Sequence, residues 1–273
     1  MYQTIRGLKY RVEVYGTGQP LLMLHGFTGR IENWAEQISL LEGRFQVVAV
    51  DLLGHGLTAK PSDVSRYRME SAAEDLIGIM DRMQLETPIL LGYSMGGRLA
   101  LYTALNYQNR FRALMLESAS PGLHTEHERA ARVMSDHTLA SQLQKAGIEK
   151  FVSAWEAQPL FASQERIPAD KREQLRALRL QNSADGLANS LRGMGTGVQP
   201  SLWSRLPELY LPTCIIVGEE DRKFWRIGWE MFSALPNAQL HILTQAGHTA
   251  HLEQPESYSQ VVLGFVTSLA LTT

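Results

Sequence analysis

Ser94 lies in Gly92-Tyr93-Ser94-Met95-Gly96-Gly97, directly after the apolar run Ile89-Leu90-Leu91 and before the apolar stretch 99–104. A strand that enters a helix through Gly-x-Ser-x-Gly turns so tightly that small residues must flank the serine, and its hydroxyl is left exposed at the strand's carboxyl end. Such a hydroxyl reacts only if a base activates it and an acid orients the base. In this architecture the partners follow in the order Ser, Asp, His, each on a loop after a later strand. The apolar run 213–217 leads into Gly218-Glu219-Glu220-Asp221, and the run 240–243 leads to Ala246-Gly247-His248. Taken singly, Asp221 reads as a turn residue or helix cap and His248 as a surface-loop histidine. Arriving in this order after three strand ends, Ser94, Asp221 and His248 form a candidate triad. Glu220, one residue nearer the strand, and His251, one helical turn beyond His248, are the rivals.

A fourth part lies near the N-terminus, where Leu21-Leu22-Met23-Leu24 runs into His25-Gly26-Phe27-Thr28-Gly29. Glycines there let the backbone turn its amides inward. An oxyanion hole of this kind uses the amide after the nucleophile and one from an early strand-to-helix loop, here Met95 and Phe27. A plain turn at His25-Gly26 is the alternative.

Short apolar runs at 21–24, 47–50, 89–91, 114–116, 214–217 and 240–243 alternate with amphipathic stretches at 34–41, 69–83, 96–106, 226–234 and 256–269. That alternation predicts a parallel sheet covered by helices on both faces. Between the fourth and fifth runs the rhythm breaks. Residues 120–205 lack strand-like alternation and read as several helices punctuated by Pro121, Pro159, Pro168 and Pro200. The expected organisation is an α/β core of residues 1–119 and 206–273 with a helical cap, 120–205, roofing a pocket at the carboxyl edge of the sheet.

The chain has 273 residues, 44% of them hydrophobic, enough to bury a sizeable core as one α/β domain with an insertion. A formal net charge of −2 argues against a dominant nucleic-acid surface. The single cysteine, Cys214, sits in an apolar run and excludes an intrachain disulfide framework, which is compatible with a reducing cytoplasm. No signal peptide and no run long enough to cross a bilayer is visible, so a soluble protein without membrane insertion is expected. No phosphate loop, dinucleotide fingerprint or His/Cys metal spacing is present, and no cofactor or metal is expected. Asp51-Leu52-Leu53-Gly54-His55-Gly56 reads as a structural loop.

Arg98 stands four positions after Ser94, on the same helical face and close to the helix N-terminus. A cation there opposes the helix macrodipole, so the placement costs energy unless an anion sits nearby. A bound carboxylate would supply one; an acidic side chain of the body or cap is the alternative. Arginine outnumbers lysine by 20 to 6, with many arginines in the cap region, and arginine's planar fork suits bidentate carboxylate recognition.

In sequence order, His25-Gly26-Phe27, Asp51 to Gly56, Gly92 to Gly97 and Gly247-His248 resemble the signatures of the α/β-hydrolase superfamily over nearly the full chain. That fold hosts esterases, dehalogenases, C–C hydrolases, lyases and receptors, so the reaction must be argued from the site. A narrower resemblance extends into the cap. Gly-Tyr-Ser-Met-Gly-Gly-Arg, Glu117 to Leu123, Glu128-Arg129-Ala130-Ala131-Arg132, Trp155 to Ser163, Ala177-Leu178-Arg179 and Val198-Gln199-Pro200 are similar to the 2-succinyl-6-hydroxy-2,4-cyclohexadiene-1-carboxylate synthases of menaquinone biosynthesis.

That resemblance implies Ser94, Asp221 and His248 as triad and substrate contacts from Tyr93, Arg98, Arg132, Trp155 and Arg179. The continuation Arg179-Leu180-Gln181-Asn182 is less asparagine-rich than the family pattern. The implied substrate is a small polycarboxylate with three carboxylates, on the ring, the succinyl arm and an enolpyruvyl ether. The implied reaction eliminates pyruvate after removal of a ring proton activated by the succinyl carbonyl, with Ser94 as base or with His248 acting directly. A serine hydrolase acting on a small carboxylate-bearing ester, thioester or C–C bond is the rival enzyme, and a ligand-binding receptor on the same fold is the third class.

Overall fold

The computed structural model describes residues 1–270. Its frame is one eight-stranded sheet in the order β1-β2-β4-β3-β5-β6-β7-β8. The strands are β1 (Tyr2–Ile5), β2 (Leu8–Tyr15), β3 (Gln19–Leu24), β4 (Phe45–Val50), β5 (Ile89–Tyr93), β6 (Ala113–Glu117), β7 (Thr213–Gly218) and β8 (Ala238–Leu243). From β4 to β8 every neighbouring pair is parallel; β2 joins β4, and β1 joins β2, antiparallel.

The central strands read as unbroken apolar runs because both faces are covered. Leu22, Leu24, Leu90, Leu114, Leu116, Ile215 and Val217 point into one core, against α2 (Met69–Arg82), α3 (Met95–Asn106) and α8 (Arg222–Ala234). Their neighbours Leu21, Met23, Ile89, Leu91, Met115, Cys214 and Ile216 point into the other, against α1 (Ala35–Leu41) and α10 (Pro255–Ala270). Each of the six expected strands and five expected helices is present, with small shifts at the ends. The N-terminal hairpin β1–β2 was not among them. Its residues alternate, Leu8, Tyr10 and Val12 with Lys9, Arg11 and Glu13, as half-exposed strands do, and so make no apolar run.

Between β6 and β7 the chain forms α4 (Glu126–Ala146), α5 (Ile148–Glu156), α6 (Ala169–Leu180) and α7 (Ala184–Met194), with 3-10 turns at Pro159–Arg166 and Trp203–Glu208. A capping box starts α4, in which Thr125 and Glu128 exchange side-chain and backbone hydrogen bonds. A small core of Ala140, Leu143, Phe151, Val152, Leu187 and Leu191 holds these helices together. Phe27 packs against that core from the loop after β3. Among the described residues no helix is long and apolar enough to cross a membrane.

Candidate active site

The turn at Ser94 is built by steric necessity. β5 ends at Tyr93 and α3 begins at Met95, leaving Ser94 alone to reverse the chain at φ 49° and ψ −106°. That is a strained conformation for a residue with a side chain. Ser94 N is satisfied by donating to Glu117 O of β6, at 2.8 Å. A Cβ on Gly92 would overlap Gly96 O, and one on Gly96 would overlap the carbonyl oxygens of Leu24 and His25. Strand and helix can close on each other only where both residues are glycine.

Asp221 and His248 come to this turn from the carboxyl ends of β7 and β8. His248 Nδ1 lies 2.6 Å from Asp221 Oδ2, and His248 Nε2 lies 3.1 Å from Ser94 Oγ. With Nδ1–H donating to the carboxylate, Nε2 is the acceptor for the serine hydroxyl. Asp221 is also the N-cap of α8, its Oδ1 accepting from Phe224 N at 3.3 Å. The cap and the histidine partner are therefore one residue using two oxygens. This cap explains why α8 starts at Arg222, four residues before the apolar pattern begins.

The rivals are occupied elsewhere. Glu220 is exposed and bonds Arg166 at 2.9 Å. His251, on the single turn α9 (Ala250–Glu253), points its Nδ1 at the Glu117 carboxylate, at 2.8 and 2.9 Å.

The loop carrying His248 is pinned from several sides. Glu253 accepts from Gly247 N, Thr249 N and Thr249 Oγ1 at 2.8, 3.1 and 2.8 Å. Gln164, from the inserted helices, donates to Thr249 Oγ1 at 2.7 Å. Around the imidazole stand Phe224, Tyr93 and Phe161, with ring centroids 4.6, 5.5 and 6.1 Å away. His248 is consequently only 3% exposed, and its imidazole lies in a largely water-excluded setting.

The loop after β3 is braced by the motif after β4. His25 Nδ1–H donates to Gly26 O at 2.7 Å, and Leu52 N donates to His25 Nε2 at 2.9 Å. Burial pushes the His25 pKa down to about 4 and the His55 pKa to about 3, so both are neutral frame elements. Asp51 accepts from Ile31 N and Leu57 N, each at 2.8 Å, which gives the loop 51–56 its structural work. Asn182 spans the gap to the inserted helices, donating to Thr28 O at 2.9 Å and accepting from Gly56 N at 3.1 Å. Phe27 and Met95, whose amides are the oxyanion candidates, line the same cavity as Ser94 and His248.

That cavity is roofed by Trp155, Phe161, Leu139, Leu191 and Met194 and floored by Tyr93, Ser94 and Met95. Burial, then the nearby Glu117 charge, holds the Tyr93 phenol well above its usual pKa, so it stays a donor.

Its cations are Arg98, Arg132 and Lys223. Arg98 is 9% exposed and donates to the neutral Gln199 Oε1 at 2.7 Å, with no carboxylate within 4 Å among the described residues. Arg132 uses Nε on Asp136 at 2.7 Å and keeps its side chain 41% exposed. Burial, then Arg132, lowers the Lys223 pKa.

Arg179 stands apart. It lines a smaller adjoining pocket behind Trp155 and Phe161, pairs with Glu156 at 2.8 Å and reaches Gln164 Oε1 at 3.4 Å. Lys223 and Gln199 were not singled out by sequence reasoning. Lys223 could have been, since it follows Asp221 by two residues at the carboxyl edge of the sheet. Gln199 was visible only as part of a motif.

A family model for the alpha/beta hydrolase fold matches residues 19–255. The chain belongs to the α/β-hydrolase fold family. Within that family it is 44% identical to a putative 2-succinyl-6-hydroxy-2,4-cyclohexadiene-1-carboxylate synthase of Bacillus subtilis, over 96% of each chain. It is 34% identical to the synthase of that name from Citrobacter koseri, over 93% of this chain and 94% of the relative. The solved structure of MenH from S. aureus superposes with a TM-score of 0.91 at 36% identity, covering 96% of this chain and 98% of that one. The expected α/β-hydrolase architecture is thus the observed one, and the likeness to these hydrolase-fold synthases runs through the inserted helices as well as the core.

Proposed function

We propose that this hydrolase-fold enzyme is the lyase of menaquinone biosynthesis that makes 2-succinyl-6-hydroxy-2,4-cyclohexadiene-1-carboxylate. Its substrate is 2-succinyl-5-enolpyruvyl-6-hydroxy-3-cyclohexene-1-carboxylate, from which it eliminates pyruvate. The observation that carries this reading is the buried Arg98 beside Ser94, hydrogen-bonded to a neutral amide and to no carboxylate among the described residues, in a cavity whose other cations are Arg132 and Lys223. A trianion matches such a lining; a neutral ester does not require it. The full-length likeness to the two synthases supports it.

In the proposed reaction Ser94, activated by His248 and oriented by Asp221, takes the ring proton next to the succinyl carbonyl. The electron pair left behind moves onto the carbonyl oxygen, which the Phe27 and Met95 amides stabilise as it becomes an enolate. The enolate then re-forms the carbonyl and pushes through the ring double bond, breaking the bond to the enolpyruvyl oxygen. The departing enolate of pyruvate takes the proton that His248 received from the Ser94 hydroxyl, and Ser94 keeps the ring proton, which returns the triad to its starting state. Tyr93, Arg132, Trp155 and Lys223 line the space where the rest of the substrate would lie. Arg179 supports the His248 loop through Gln164 in this account, and contacts substrate only if the adjoining pocket is used. Pyruvate release from the enolpyruvyl substrate, followed with a coupled lactate dehydrogenase, tests the reading; fast hydrolysis of neutral short-chain esters without pyruvate release would return the enzyme to the serine-hydrolase class.

A further inference from the structure

Arg98 is a buried cation whose observed hydrogen-bond partner is a neutral amide. Gln199 Oε1 accepts from Arg98 Nη1 at 2.7 Å, and both residues are nearly inaccessible, at 1% and 9% exposed. Gln199 comes from the turn that follows α7 and is fixed there by its own N–H on Gly195 O, at 3.2 Å. Its Nε2 is buried with no hydrogen-bond partner. Gly122, whose absent Cβ would come within 3.3 Å of that nitrogen, lets the amide sit where it does.

A buried guanidinium is ordinarily paired with a carboxylate, because the uncompensated charge is costly to desolvate. Here burial, then the like charge of Arg132, lowers the Arg98 pKa to about 10, with Asp136, beyond hydrogen-bonding distance, partly opposing them. The group is therefore charged at neutral pH. A glutamate at position 199 would orient Arg98 equally well but would cancel its charge and lower its value to an incoming anion. A glutamine orients without cancelling.

We propose that Gln199 is a specificity-determining positioning residue: it holds the Arg98 fork toward the Ser94 cavity and, being neutral, reserves its charge for a carboxylate of the substrate. This rests on the polyanion reading of the cavity. The cost of a buried charge with no carboxylate paired to it is carried by the empty enzyme and relieved on binding, so the substitution acts on affinity more than on the chemical step.

The test compares Gln199→Glu, nearly identical in shape, with Gln199→Leu, which removes the acceptor but leaves Arg98 charged. Gln199→Glu is expected to raise KM for the enolpyruvyl substrate at least about tenfold while kcat falls less than about threefold. It should raise the inhibition constant of citrate, a tricarboxylate probe, in parallel, and flatten the dependence of kcat/KM on salt. Gln199→Leu should raise KM by a smaller factor and keep the salt dependence. A Gln199→Glu enzyme within twofold of wild type overturns the inference, as does a Gln199→Leu enzyme with the same KM and salt dependence as Gln199→Glu. If the wild type releases no pyruvate, the functional reading falls, and citrate binding by calorimetry then judges the inference. Weaker binding in Gln199→Glu than in wild type upholds it, and equal binding overturns it.

Discussion

Glu117 and His251 form a buried pair one helical turn beyond His248, in which the carboxylate accepts from both His251 N, at 3.1 Å, and His251 Nδ1, at 2.8 Å. The two side chains are 0% and 1% exposed. Glu117 is also the residue whose carbonyl receives Ser94 N, so one residue of β6 fixes both the serine turn and the segment after the histidine. Glu117→Ala should cost about 3 kcal/mol of stability, because it strands a buried partner, whereas Glu220→Ala, on an exposed pair, should cost less than about 1 kcal/mol. Urea unfolding midpoints of the two variants check this.

Ser94→Ala and His248→Ala are each expected to lower kcat by several orders of magnitude with unchanged unfolding midpoints, since neither side chain carries the fold. Asp221→Asn should be nearly as severe, because an amide at Oδ2 favours the wrong imidazole tautomer, and it should also weaken the start of α8. Steady-state pyruvate release on the three variants decides it. An Asp221→Asn enzyme that keeps most of its rate would remove Asp221 from the mechanism.

The arginines should divide into two groups. Arg98→Ala should lose roughly 2–5 kcal/mol in kcat/KM, and Arg132→Ala and Lys223→Ala less, because water reaches more of those sites. All three should show a shallower salt dependence than wild type. Arg179→Ala should keep the wild-type salt dependence, because Glu156 already compensates its charge, and should instead loosen the Gln164–Thr249 contact. A salt dependence that flattens for Arg179→Ala and persists for Arg98→Ala would reverse this assignment.

Low pH should unfold the protein through its neutral buried histidines. In the folded state His25 is held near 4 and His55 near 3, mainly by burial, while an unfolded histidine titrates near 6.5. Protons bind the unfolded chain first as pH falls, so the stabilisation is full above about pH 6.5 and is lost between there and about pH 4 for His25. For His25 alone the loss is about 3 kcal/mol. Unfolding midpoints should be level from pH 7.5 down to about pH 6.5 and then fall steadily to pH 4.5; a profile flat throughout would mean that these imidazoles are not held neutral.

Much of this was legible in the sequence because the α/β framework writes itself in short apolar runs, and because loops at strand ends keep chain order. The Ser94, Asp221 and His248 positions followed from that order. Arg98 was legible as an anomaly, a cation in the first turn of a helix. What was not legible depends on long-range packing. Nothing local distinguishes Arg98, left with a neutral partner, from Arg179, neutralised by Glu156 23 residues away. Lys223 joins the cavity only because Asp221 starts α8 early and turns its first residues toward the serine. The β1–β2 hairpin was missed for a different reason, since its alternation is the signature of an edge and not of a core.

In the proposed reaction Ser94 moves a proton and is never acylated. Enzyme mixed with excess enolpyruvyl substrate, quenched in acid during turnover and examined by intact-protein mass spectrometry, tests it most directly. Pyruvate in the quenched solution, no burst, and a protein of unmodified mass at every time are expected. A stoichiometric substrate-derived adduct on Ser94 that forms and decays at the turnover rate would contradict it, and would make this site a nucleophilic hydrolase instead.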